Sequence, residues 1–313
     1  MKNILTLLLL TILSVLISYG QSYKSLVGKA DSLYESKNYK GSIAAYEEAF
    51  TLGGGTAEDL YNAACSASLA EEKDKAFDLL QKAFDKGWNN LRHIKQDEDL
   101  AALHDDKRWE SLVTHMQKKI DEVEAEYDKP LQAELLQILN DDQQYRGMLD
   151  STEKKFGHNS KQIQDLWQVI NAKDSIDLEK VKGILDTKGW VGPSKVGPQA
   201  SMALFLVIQH SRLPIQEKYL PMMREAVKKG NANASNLALL EDRVLLGLGK
   251  MQIYGSQIGY DQETKKYFVS PLEDPENVDR RRREVGLQPL ADYVKHWGIV
   301  WNVEDYKKQH GDR

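Results

Sequence analysis

Charged and amide side chains interrupt the most apolar stretches of this chain, and they are its best candidates for chemistry. Gln209 and His210 close the run QASMALFLVIQHS, while Glu241, Asp242 and Arg243 are bracketed by Leu239, Leu240, Val244 and Leu245. Gln252, Tyr254 and Gln257 fall in KMQIYGSQIGY, where alternation would put Gln252 and Tyr254 on one face of a strand. Burying such groups is costly unless they are paired or hydrogen-bonded, so two arrangements compete. In the first they line a pocket: His210 accepts a proton, Asp242 orients it, and Arg243 or Arg146 holds an anionic group. Trp190, Gln209, Gln252, Tyr254 and Gln257 would then contact the ligand. In the second, Asp242 and Arg243 form an internal salt bridge that clamps a hairpin to the helices, and His210 caps a helix end. The second is the expectation, because buried pairs are commoner than active sites.

Other motifs carry less. Gly192-Pro193-Ser194 lacks the preceding strand of a nucleophile turn and reads as a plain loop. His93, His104 and His115 are spaced by about three helical turns, but the DEDLAALHDD break separates them. There is no zincin motif, calcium loop or phosphate loop, and the single Cys65 excludes a cysteine-rich metal module, so no metal and no cofactor is expected. Arg280 to Arg283 sit among Asp274, Glu276, Asp279 and Glu284, the pattern of a solvated, partly salt-bridged helix. With 42 basic against 47 acidic residues, the net charge of −5 argues against nucleic acid as a partner.

The elements that must position these residues fall into two parts. Residues 26–52 align with 60–86 at a constant offset of 34, pairing Leu26 with Leu60, Ala30 with Ala64, Ser42 with Ala76, Tyr46 with Leu80 and Ala49 with Ala83. Small residues at these positions let two helices approach closely while the large one fills the groove between units. The segment ADSLYESKNYKGSIAAYEEAF resembles the tetratricopeptide repeat, although Lys37 stands where that family often has Gly, and Gly53-Gly54-Gly55 stand where it has Pro. The resemblance implies two full repeats over 22–87 and a degenerate third helix pair to about 120, with Leu100, Leu103, Trp109 and Leu112 inward. It also implies a groove for a protein or peptide partner. The run DEVEAEYDK before Pro130 marks a boundary, giving a repeat domain over 22–125 and a second domain over 130–313. Residues 21–129 carry 15 basic and 22 acidic groups, so the acidity belongs to the repeats.

Ahead of the repeats, residues 1–20 have Lys2 and an apolar run from Ile4 to Ile17, the pattern of a signal peptide cleaved before Gln21. The expected location is outside the cytoplasm, periplasmic or secreted, with no stable membrane anchor after cleavage.

In the second domain Pro130 opens a helix, and two shorter helices are expected at Lys161–Ala172 and Leu178–Thr187, the latter capped by Asp177. GWVGPSKVGP reads as a loop, residues 199–211 as the central buried helix, and Pro214 and Ser235 as the starts of two more helices. The one hairpin is expected over 251–270. The fold class is therefore mainly α: helix-pair repeats followed by a helical domain with one β-hairpin.

Seven motifs of this domain resemble a family of unknown function, numbered 6624, over residues 130–296. They are DQQYR at 142–146, GWVGPSKVG at 189–197, FLVIQH at 205–210, QEKYLPMM at 216–223, LLEDRV at 239–244, GKMQIYGSQ at 249–257 and DPENVDRRRREVGLQPL at 274–290. Ser256 stands where Thr is commoner, and Pro193 falls one place late. That family implies no activity, so two functions stay open. One is an exported interaction protein working through its repeats, which leaves the chain leaning away from an enzyme. The other is a hydrolase-like enzyme using His210, Asp242 and Arg243.

Overall fold

Alanines and serines set the helix spacing in the first part of the chain. A computed structural model describes residues 23–310, so the proposed signal segment 1–20 lies outside the described residues. Helix α1 spans 23–35, followed by α2 (Tyr39–Gly53), α3 (Ala57–Leu69) and α4 (Lys73–Asp85). Ala30, Ala49, Ala64, Ala67 and Ala83 are wholly buried where these helices meet, and the Ser42 and Ser66 hydroxyls bond across at 3.0 Å. The turns repeat as the alignment requires. Lys37 and Glu71, 34 apart, both take left-handed backbone with φ of 61° and 64°. This conformation is strained for a side-chain-bearing residue and usually goes to glycine at helix ends. A capping box between Thr56 and Asp59 opens α3, which packs on α2 and α4.

The third helix pair is broken into pieces: α5 (Leu91–Gln96), a 3₁₀ turn (Glu98–Leu100), α6 (Ala101–His104) and α7 (Lys107–Glu124). Leu100, Leu103 and Leu112 are buried, with Trp109 packed against the same core.

The chain divides into two compact units between Ala125 and Glu126. The second opens with α8 (Lys129–Arg146), whose first turn holds Pro130 and whose N-cap Asp128 accepts from the Leu131 N–H. Then come α9 (Leu149–Phe156), α10 (Lys161–Lys188), α11 (Pro193–Val196), α12 (Pro198–His210), α13 (Leu213–Lys228) and α14 (Ala234–Gly247). Helix α12 is the core element, packing on α8, α10, α13 and α14. The hairpin joins β1 (Ile258–Asp261) to β2 (Lys266–Val269), antiparallel with Ile258 opposite Val269. Helices α15 (Val278–Glu284), α16 (Leu290–Val294) and α17 (Val303–His310) close the unit around Val269, Leu272, Val278, Leu290, Val294 and Tyr306. Among the described residues no helix is long and apolar enough to cross a membrane.

The architecture is mainly α with a single two-stranded hairpin, and several local expectations change. The two helices expected within 161–187 are one, because KDSID contains no glycine or proline, and Ile163, Ile170, Val181, Ile184 and Leu185 bury one continuous side. Asp177 therefore sits mid-helix rather than at an N-cap. The 189–198 loop contains the short helix α11, and the cap position of α14 is Asn233, not Ser235. The hairpin is shorter than 251–270: residues 250–257 are irregular, held by a lone parallel bridge between Gln252 and Leu272. Alternation along a strand therefore does not apply to Gln252 and Tyr254.

Asp177 generates a prediction. Its carboxylate is buried, Oδ1 lies 3.3 Å from Lys180 Nζ, and Oδ2 has no partner. Burial raises its pKa against the opposing pull of Lys180. A carboxyl raised above its unfolded value of about 3.9 supports folding fully below that pH and loses this support as pH rises through the folded pKa. Asp177→Asn should therefore match the parent in urea melts below about pH 4 and exceed it in stability at pH 7.

Candidate functional site

The C-terminal turn of α8 and the end of α12 lie side by side, and this packing makes the site. Asp142 is 2% exposed, and its Oδ1 bonds His210 Nδ1 at 2.8 Å. Gln143 Nε2 donates to the other oxygen at 2.6 Å. Arg146, one turn on, places Nη1 3.4 Å from Asp142 Oδ1 and reaches α10, where both Nη atoms donate to Asp174 at 2.9 and 2.7 Å. Burial alone would raise the pKa of Asp142, but the His210 bond and charge, then Gln143 and Arg146, outweigh it and hold the carboxyl below its ordinary value. A carboxylate acceptor at Nδ1 calls for a proton on that nitrogen, which leaves Nε2 as the ring atom open to other contacts. The His210 side chain is 22% exposed, and no described residue bonds its Nε2.

Arg243, on α14, lies within electrostatic range of Arg146. Its Nε is buried without a partner, and its guanidinium makes no hydrogen bond or ion pair among the described residues. Burial lowers its pKa, Tyr293 opposes the shift and the charge of Arg146 adds to it. Two guanidinium groups thus stand within electrostatic reach of each other. Arg146 has carboxylate partners, and among the described residues Arg243 has none.

Asp242 is placed differently from both expectations. It neither orients His210 nor pairs with Arg243. Its fully buried carboxylate accepts backbone N–H groups from Ile253 (2.7 Å), Tyr254 (2.9 Å) and Ser256 (2.9 Å). Burial raises its pKa, offset in part by these N–H donors. Gln252, also fully buried, works on the same loop: Nε2 donates to the Gln257 and Ser270 carbonyls, and Oε1 accepts from the Gln257 N–H. Gln257 Nε2 bonds Ser256 Oγ at 3.0 Å. These amides brace backbone rather than face a ligand.

The arginine-rich helix is solvated and salt-bridged only in part, with Arg281 paired to Asp274 at 3.1 Å. Arg282 is 1% exposed, donating to the Gln288 and Tyr254 carbonyls and lying over the Tyr293 ring. Arg281 bonds the Ile253 and Glu273 carbonyls, while Arg280 and Arg283 are exposed. Gln209 is buried with Oε1 unpartnered, next to His210 in the chain. Trp190 lines a separate cavity of about 340 Å³ with Phe205 and Met223, whose lining includes neither His210 nor Arg243.

The model of DUF6624, a family of unknown function, matches residues 129–303, more than half of the chain. The chain belongs to DUF6624. No curated protein and no solved structure matches it. Every residue of the His210 cluster lies inside the DUF6624 segment. Asp142 and Arg146 could have been read as a pair from their four-residue spacing in DQQYR; Asp174 carries no comparable signal.

The placement of Asp242 and Arg243 predicts opposite responses. Asp242→Asn puts an amide against three N–H donors and should destabilise the DUF6624 domain by about 3 kcal/mol. Arg243→Met removes a desolvated charge that has no protein partner, so its melting temperature should equal or exceed the parent's. Thermal melts of the two variants check this, and equal large losses would restore the Asp242–Arg243 salt bridge.

Proposed function

We propose that the DUF6624 domain binds a substrate through an anionic group at Arg243 and uses His210 as general base in a hydrolytic reaction. The observation that carries this is the half-buried guanidinium of Arg243, which has no protein partner in a unit whose other inward arginines all have one. A site that keeps a desolvated cation unpaired is suited to a carboxylate or phosphate, which guanidinium binds bidentately. His210 supplies the second requirement. Its Nε2 is unoccupied, and Asp142 both orients the ring and stabilises the imidazolium formed when Nε2 takes a proton from water. Arg146 and Asp174 hold Asp142 in place.

Inorganic phosphate and acetate, titrated separately into the full chain, test the anion step. Either ligand should raise the melting temperature of the parent and not of Arg243→Met, since only binding to the folded state shifts it. Hydrolysis of p-nitrophenyl phosphate and p-nitrophenyl acetate tests the base. His210→Gln should lower any turnover by roughly 10²–10⁴-fold. Equal melting shifts in parent and Arg243→Met would remove the anion site, and equal turnover would remove His210.

A second reading belongs to the N-terminal unit and is favoured by the turns at Lys37 and Glu71, which repeat at the 34-residue period. In this reading residues 22–120 form tetratricopeptide-type repeats that bind a protein or peptide in their groove, and the chain works outside the cytoplasm, periplasmic or secreted. N-terminal sequencing of the protein recovered from its producing cells should return a start within a few residues of Gln21. A start at Met1 or Lys2 would contradict export.

A further inference from the structure

The N-terminal unit contains a cavity of about 380 Å³ between α1, α2, α3 and the segment after α5. Tyr34, Tyr46 and Tyr61 line it, the last two almost wholly buried, and Asp31, Asp97 and Asp99 add carboxylates. The two sets are tied together one to one: the hydroxyls of Tyr34, Tyr46 and Tyr61 donate to Asp99, Asp31 and Asp97 respectively. Burial first, then the carboxylate acceptor, pushes the Tyr46 and Tyr61 hydroxyls above their ordinary range; at Tyr34 the Asp99 bond leads. The tyrosines thus remain neutral donors. At Asp31 and Asp99 the bond leaves most of the roughly four acceptor positions of the carboxylate unused, whereas Asp97 also accepts from Cys65 Sγ and the Asp99 N–H and pairs with His93.

What the cavity lacks is a cation. Among the described residues no lysine or arginine pairs with Asp31, Asp99 or the neighbouring Glu35, and the one ion-pair partner of Asp97 is His93, at 3.3 Å. The partly exposed ring of Tyr34 and carboxylates that no lysine or arginine neutralises therefore line one cavity. Ring faces attract ammonium and guanidinium groups through the ring quadrupole, and a cleft lined by one sign of charge concentrates the opposite sign. Asp31, Glu35 and His93 are exposed, so the cavity can be reached from solvent.

We propose that this cavity receives a lysine or arginine side chain from a segment of a partner protein. The proposal rests on the reading of the N-terminal unit as the binding part and names the chemistry it selects. A metal ion fits the same place less well, although Cys65, Asp97 and Asp99 bring one ligand atom each within 4.8 Å of the others. Those three ligands leave Asp31, Glu35 and the Tyr34 and Tyr46 side of the cavity unused. A long cationic side chain can reach that side as well.

The test uses the full chain and three fluorescein-labelled peptides of alternating glycine with arginine, glutamine or glutamate, followed by fluorescence anisotropy. The arginine peptide should bind at least tenfold more tightly than the glutamine peptide, weaken with added salt, and lose at least tenfold on Asp31→Asn/Asp99→Asn. Both substitutions keep an oxygen that accepts from the tyrosine, and a parental melting temperature verifies that the fold survives. If the double variant melts early, Glu35→Gln, at an exposed position, replaces it and should cost at least threefold in arginine-peptide affinity. Equal binding of arginine and glutamine peptides would overturn cation selection while leaving a peptide groove in place. Unchanged arginine-peptide affinity in the folded variants would overturn the cavity as the site. Absence of binding by all three peptides would overturn both the inference and the groove reading.

Discussion

Asp242 buries its carboxylate completely, and it can do so because three backbone N–H groups of the 253–256 segment close on it. Without those donors the charge would be desolvated and uncompensated, which no packing nearby could offset. The bond set also works in reverse. Residues 250–257 have no regular structure, so their N–H groups need an acceptor, and a helical side chain supplies it. Gln252 and Arg282 complete the arrangement by taking up the carbonyls of Gln257, Ser270 and Tyr254. An irregular loop is thereby held as firmly as a strand, and the hairpin and α15 are positioned through it.

The same rule, that buried charge must be answered, makes the exceptions informative. Asp142 is answered by His210, Gln143 and Arg146, and Arg146 is answered in turn by Asp174. Arg243 lies within reach of this network and is left out of it. Arg146 and Arg281 are bonded, and Arg282 keeps two carbonyl partners although its Nη2 is buried without one, whereas the Arg243 guanidinium has no partner among the described residues. The unpaired guanidinium is the feature on which the proposed anion site rests.

The N-terminal unit solves a different problem with smaller parts. Its helices approach through alanine and serine, and this close approach brings tyrosines of three successive helices to the edge of one cavity. The phenol–carboxylate pairs satisfy the hydroxyls without neutralising the acids. The negative charge that the composition assigns to this half of the chain is thus concentrated, in part, on an enclosed surface.

The mainly helical class, the buried character of 199–211 and the 34-residue period were legible in the sequence, because hydrophobic spacing and turn position act over a few residues at a time. Even the strained turns at Lys37 and Glu71 follow from that period, although neither residue type announces a positive φ. What local pattern could not decide was partnership. His210 takes Asp142, 68 residues away, rather than the nearer candidate Asp242, because α8 and α12 pack together while Asp242 turns toward a loop of irregular backbone whose N–H groups need an acceptor. Asp177 looked like a helix cap and is instead enclosed mid-helix, and Arg282 looked solvated and is buried, since burial depends on which side of a helix meets the core. The residue types that could do chemistry were visible one by one. Which of them share a hydrogen bond was decided by tertiary packing, because a 2.8 Å contact is set by how distant helices meet and not by the spacing along either one.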